Sequence, residues 1–490
     1  MKTQALPFLL LLACSGPRLT PAPPPLSAQI DQAIQAAMTS DHLPGVAAVV
    51  VQNGKVLHAR GYGVASIDGD QPVRVDDTLF RIGSISKALT ALAITRLVER
   101  GTLDWDGSVD GYAPTQNLSG GPDPVRLRHL VTHTGGFDQI GLDRHVYEFD
   151  RPLVERKALR PSLAEFLAAG NLRRTAPPGT FFRYDTYGIT LAGHILATAT
   201  GLKFPQAMQQ ELFTPLGMTR SFVETDARHS DQLATGYGYV DGQYVAMPYE
   251  VYVTTPASSI DATAGDMGRL LVALTADGAN ASGRLLSGKT VQGIWDGQFR
   301  PHPEFHGISH GFWELVSVDR QPRAPLRAFV HGGTMLGFTS SLTIVPELNV
   351  GIFVVANRDA EAGGPPVRLG RVIDALVVEA LSPRGSNIAP PFTVPKTPPP
   401  FEPASYVGDY YFGTYCQSCT PEEFKRGAWP RGPAFTVQAG RGGLDIRGER
   451  YLATDERDIF VRDDGERRVL FGRDLTGNIR FFLYENDPET

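Results

Sequence analysis

An α+β fold with a separate β-rich C-terminal unit follows from three features of the sequence. Short β-branched apolar runs stand near its beginning and return late, the stretch between them carries helical periodicity, and a proline-rich segment sets off a further region of short strand patterns. A chain of 490 residues exceeds one ordinary domain, so at least two are expected. The apolar fraction of 42% and charged fraction of 20% are those of a globular protein. The formal charge of −6 is spread without basic blocks, which excludes the electrostatic footprint of a nucleic-acid binder.

The elements run as follows. Lys2 precedes an apolar run from Ala5 to Ala13, too short to span a bilayer, so residues 1–13 are expected to be an export signal. Leu11-Leu12-Ala13-Cys14 resembles a bacterial lipobox, which would make Cys14 a lipid anchor and the protein a periplasmic or outer-membrane lipoprotein; a plain secretory signal is the alternative. Residues 14–26 are expected to be a tether, since Gly16 to Leu26, with Pro21 to Pro25, is read as neither helix nor sheet. Ser27 is expected to cap a helix through Ile30, Ile34 and Met38. Val46 to Val51, a turn at Gln52-Asn53-Gly54 and a return through Val56 and His58 predict a hairpin. Thr78 to about Gly217 is mostly helical, notably Ala88 to Val98 and Ile189 to Ala199.

Arg327 to His331, Ser340 to Val345 and Val350 to Ala356 then read as neighbouring antiparallel strands before a helix from Val367 to Leu381. The body thus spans 27–382. Ser382 to Pro403 holds eight prolines, which makes 383–403 a linker. Within 404–490, Tyr406 to Tyr411, Leu444 to Ile446, Ile459 to Val461, Val469 to Phe471 and Ile479 to Tyr484 predict a small β-barrel or sandwich. Cys416 and Cys419 lack companions for a zinc site; a local disulfide is the expected state and a redox pair the weaker one. The long connection from Asp138 to Leu163 either rims a cleft or is an uninvolved surface loop.

Three short motifs carry chemistry. In Phe80-Arg81-Ile82-Gly83-Ser84-Ile85-Ser86-Lys87 the serine and lysine share one face of a first helical turn. Such pairs usually sit on a solvated face, but this helix is apolar enough to be buried, which leaves Lys87 inside; a neutral lysine there can take the serine proton. Tyr184, in Arg183-Tyr184-Asp185-Thr186, enters another apolar helix and can serve as shared acid and base, or simply pack. His331-Gly332-Gly333-Thr334 ends a strand, where glycines admit close approach and the Thr334 amide can join that of Ser84 as an oxyanion hole. His129 and His133 stand four apart but lack the glutamate and third ligand of a zinc helix, so they are read as structural.

Together the three motifs resemble the serine β-lactamase and penicillin-binding superfamily over residues 28 to 382, most closely its class C β-lactamase, esterase and D-amino-acid peptidase branch, peptidase S12-like. Arg128 to Gly136 and Pro256 to Leu271 add to the likeness. The resemblance implies a β-lactamase-like antiparallel sheet flanked by helices with an all-helical subdomain. It also implies Ser84 as nucleophile, Lys87 and Tyr184 as its activating pair, and the strand ending at His331 as the third wall.

Two departures stand out. Thr186 replaces the amide that holds a substrate carbonyl in Y-x-N, and His331 replaces the lysine of K-T-G, putting a titratable imidazole where an ammonium greets a carboxylate. Both point away from β-lactams toward an esterase or D-amino-acid amidohydrolase acting on a small ester, amide or cell-wall peptide, with no metal or organic cofactor required. The alternatives are a true β-lactamase and a catalytically silent protein that binds peptidoglycan or a partner.

Overall fold

The structure, a computed structural model, describes residues 24–112, 123–139, 153–169, 172–180, 182–225, 228–303, 305–317, 326–359, 365–382, 392–410, 435–465, 467–473 and 478–484. The expected export signal, most of the expected tether, Cys14, Cys416 and Cys419 lie outside these residues, as do 140–152 of the long connection and 383–391 of the linker. Among the described residues no helix is long and apolar enough to cross a membrane.

Helix α1 (Leu26–Ser40) starts one residue before Ser27, and Ser27 is not its cap. The Pro25 carbonyl instead accepts the amides of Ala28 and Gln29 at 2.9 and 3.1 Å, while the Ser27 hydroxyl bonds His58 Nδ1 at 2.8 Å. A proline cannot continue a helix upstream, so the carbonyl that it presents begins one here. The hairpin β1 (Gly45–Gln52) and β2 (Lys55–Ser66) turns at Asn53 and Gly54 with φ of 49° and 70°, the left-handed pair that suits a two-residue connection. After the short β3 (Gln71–Pro72), β4 (Leu79–Arg81) leads into α2 (Ile85–Glu99), buried on nearly every face from Ile85 to Thr95. A helix apolar all round must run through the interior.

The helical middle includes α3 (Leu127–Val131) and α4 (Thr186–Thr200). Past that stretch, β5 (Ser221–Val223) and β6 (Ile260–Thr263) join β4 in a three-stranded sheet ordered β4-β6-β5, with β6 at its centre, ahead of α5 (Ala264–Leu274). Then come β7 (Ile308–Ser309), β8 (Phe312–Ser317), β9 (Leu326–Met335), β10 (Phe338–Val345), β11 (Val350–Ala356) and α6 (Pro365–Leu381).

The main sheet is antiparallel throughout and ordered β7-β8-β9-β10-β11-β1-β2-β3, so the first long strand closes beside the last, with Val49 opposite Phe353. Alternate side chains of β1 serve two cores. Val46, Ala48 and Val50 pack with Ile30, Ile34, Ile373 and Val377 of α1 and α6, whereas Ala47, Val49 and Val51 face the larger core that contains α2 and α5. Burial on both faces is why Val46 to Val51 reads as an unbroken apolar run rather than an alternating one.

Beyond the linker, β12 (Gly408–Tyr410), β13 (Phe435–Gly440), β14 (Gly443–Ile446), β15 (Glu449–Ala453), β16 (Ile459–Arg462), β17 (Arg468–Arg473) and β18 (Ile479–Tyr484) pair in strict sequence order in one nearly closed, barrel-like sheet. Sequence patterning finds five of these regions and misses β13 and β15, whose outward residues are polar. The end of the linker belongs to this core, since Phe401 packs edge-on against Tyr406 and Phe460.

Candidate active site

Ser84 sits where β4 gives way to α2. Ile82 N donates to Ile260 O at 3.1 Å, and the Ser86 hydroxyl donates to Gly83 O at 2.6 Å while accepting Ile260 N at 3.1 Å, which pins the turn to β6. Gly83 adopts φ of +53°, and a Cβ there would lie 2.9 Å from both N and O of Thr334. Only glycine lets the turn pass so close to β9. Gly333 is packed tighter still, its hypothetical Cβ 2.0 Å from Ile82 O. The glycines therefore bring the Thr334 backbone against the residue that precedes Ser84. Gly332 and Thr334 are exposed on this strand and Gly333 is buried.

One turn into α2, Lys87 is 1% exposed, and its Nζ donates to Ser84 Oγ at 3.0 Å and to Ala257 O at 3.0 Å. Ser84 itself is only half-buried, so the hydroxyl is reachable while the amine behind it is not. The Tyr184 ring arrives from the entrance of α4, its centroid 4.8 Å from Lys87 Nζ. Ser84, Lys87 and Tyr184 are thus brought together from two distant segments. Thr186 opens α4, half-buried, with its carbonyl accepting the Thr190 hydroxyl at 2.8 Å.

His331 also reaches this cluster, its ring 6.4 Å from that of Tyr184. It is not the titratable group that sequence suggests. The ring is 2% exposed, Nδ1 donates to Gly332 O at 2.6 Å, and burial, with the Lys87 charge, pushes its pKa down to about 3. Burial beside a cation favours the neutral imidazole at neutral pH, and no sequence pattern registers that burial.

His133 is the residue that sequence reasoning undervalues. Helix α3 ends at Val131 and His133 takes φ of 56°, so it does not share a helical face with His129. It brackets Tyr184 instead: its carbonyl accepts Arg183 N at 2.9 Å and its Nδ1 accepts Asp185 N at 3.0 Å. Its ring lies 4.8 Å from Tyr184 and stacks at 6.0 Å on Trp313, which in turn stacks on Tyr184 at 6.1 Å. Burial first, then Lys87 and His331, hold its pKa well below the ordinary histidine value. Arg183 is anchored by an ion pair to the buried Asp138 at 2.6 Å. Within the described part of the long connection, Leu153–Leu159 is helical, with Arg156 donating to Tyr249 O at 2.6 Å and Lys157 to Thr225 O at 2.9 Å.

Comparison with known proteins gives relatives of one kind. Esterase EstB of Burkholderia gladioli is 33% identical over 39% of this chain and 50% of its own length, and a β-lactamase of Yersinia enterocolitica is 25% identical over 68% of this chain and 86% of its own. The match to the esterase therefore spans half of that relative. Among solved structures, the D-alanine carboxypeptidase AmpC of Burkholderia cenocepacia superposes with a TM-score of 0.56 at 26% identity, covering 71% of this chain and 98% of its own. The octameric penicillin-binding protein homologue of Pyrococcus abyssi, at 20% identity, shares the fold over 94% of this chain and 99% of its own with a TM-score of 0.60. The sequence profile of the Beta-lactamase family matches residues 30–376, well over half of the chain, and the chain belongs to that family of serine hydrolases.

Proposed function

We propose that this protein hydrolyses esters or amides through an acyl-serine intermediate, as a carboxylesterase or D-amino-acid amidohydrolase. The observation that carries the reading is the 3.0 Å contact between the half-buried Ser84 hydroxyl and the buried Lys87 amine, with the Tyr184 ring beside it. In the proposed cycle Ser84 attacks the carbonyl as Lys87 or Tyr184 removes its proton, and the Ser84 and Thr334 amides receive the oxyanion. Tyr184 returns the proton to the leaving group, and water then releases the acyl chain. The preference for substrates without a carboxylate at this wall rests on His331: a neutral, buried ring stands where a fixed ammonium would greet a carboxylate. The buried guanidinium of Arg183 does not substitute for it, being engaged by Asp138.

A fluorophosphonate probe should label the wild-type protein and not Ser84→Ala, and p-nitrophenyl esters should turn over faster than a chromogenic cephalosporin. Tyr184→Phe should lower kcat by about 10²–10⁴, the usual contribution of a positioned acid and base. Faster cephalosporin turnover would replace the esterase reading with a β-lactamase one, and absence of label on wild type would favour a binding protein.

A further inference from the structure

The chain from Phe299 to Trp313 joins two parts of the molecule that the linker separates in sequence. Phe305 is fully buried, and it clusters with Ile459, Leu470 and Leu483 of the C-terminal sheet. The Arg468 guanidinium covers its ring at 5.3 Å. An aromatic side chain of the family domain therefore sits in a socket built by β16, β17 and β18.

From Phe305 the route to the cleft is short. Arg300 donates to Phe305 O at 2.6 Å and pairs with the buried Glu314 carboxylate at 2.5 Å, which also accepts Gly307 N at 2.9 Å. Ile308 stands opposite Trp313 in the β7–β8 pair. At the far end of this hairpin, Gly311 has φ of +79° and donates to Val131 O at 2.9 Å, and a Cβ on it would lie 3.1 Å from Ala88 Cα. The hairpin is thus held by the C-terminal sheet at one end and rests on the nucleophile helix at the other. Between the two ends it carries Trp313, stacked on Tyr184 and His133 and edge-on to Phe182 at 4.4 Å.

We infer that the C-terminal sheet is a positioning element of the active site: its Ile459, Leu470 and Leu483 socket holds Phe305, and the Phe305–Trp313 hairpin thereby fixes the Tyr184 ring beside Lys87. Phe305 and Trp313 are positioning residues, since neither touches a reacting atom. Close-packed interiors transmit displacement instead of absorbing it, and sub-ångström placement of a proton donor governs rate. The inference rests on the acyl-serine reading for its kinetic readout.

The test uses the full chain with Phe305→Ala, Phe305→Leu and Leu470→Ala. Active sites are counted by saturating fluorophosphonate labelling, and kcat per labelled site and KM are measured with a p-nitrophenyl ester. Phe305→Ala and Leu470→Ala should lower kcat per labelled site roughly tenfold or more with KM little changed, and Phe305→Leu should recover most of the loss. A smaller labelled fraction with unchanged kcat per site in both alanine variants means a purely structural joint and overturns the inference. If the wild type takes no label, the acyl-serine reading falls instead. The positioning claim is then decided by the His133 imidazole resonance, which Phe305→Ala displaces if the joint sets the aromatic stack and leaves in place if it does not.

Discussion

His133 and His331 carry opposite tautomers, as their partners require. The Asp185 amide hydrogen points at His133 Nδ1, which must offer a lone pair, so the proton is on Nε2; the 3.2 Å approach of Nδ1 to Asp185 O is then a contact only. His331 Nδ1 faces the Gly332 carbonyl and must carry the proton. Nitrogen-15 spectra of histidine-labelled protein should show these two neutral forms unchanged from pH 5 to 9; either ring titrating near its ordinary value of about 6.5 would contradict the burial argument. At this scale the sequence is uneven. Ser84, Lys87 and Tyr184 are legible because each combines a reactive type with a local setting, a helix start or an apolar helix entry, that is written in neighbouring residues. The role of His133 is not, because it depends on a hydrogen bond to a residue 52 positions away.

At the scale of elements, the decisive contact is the crossing of β9 over the turn from β4 into α2. A methyl group at Gly83 meets the Thr334 amide and forces a left-handed conformation on an alanine, which costs about 1–2 kcal/mol before any clash. Gly83→Ala should lower the melting temperature by a few degrees and kcat/KM by about 10², since it spreads the two proposed oxyanion amides. Gly333→Ala should fold worse, because its Cβ would strike a backbone carbonyl. Thermal melts and ester kinetics on the two variants check both statements; full activity in Gly83→Ala would remove Thr334 from the site. The long strands and α2 are readable from the sequence because each presents enough apolar residues in one pattern. The three-residue β4 and β5 are not, since each is a strand only by pairing with β6, which is distant in sequence, and not by any run of its own. Ser27 misleads because Pro25 already supplies the acceptor that starts α1.

For the whole molecule, buried Asp185 links the site to stability. Burial raises its pKa to about 6, although the Gly188 and Tyr187 amides and Arg183 pull it partly back. A carboxyl whose folded pKa lies above the unfolded value of about 3.9 contributes stability that is complete below that value and is lost as pH climbs through the folded pKa. The melting temperature of the wild type should therefore contain a component that declines between about pH 4 and 6, and Asp185→Asn, which keeps the size of the side chain at the start of α4 but cannot ionise, should abolish it. Calorimetry across that range decides the point; an identical slope in the variant would show that Asp185 ionises freely.

The two sheets also differ in how far the chain must travel to complete them. Every strand of the C-terminal sheet pairs with its immediate successor, whereas β1 must wait for β11, some three hundred residues later, before the larger sheet can close. Neighbour pairing costs little loop entropy and forms fast, and the distant pairing is slow. The late unit in sequence is thus expected to be the early one in folding, with the socket for Phe305 formed before the catalytic half assembles; pulse-labelled hydrogen exchange during refolding should protect the C-terminal strands first.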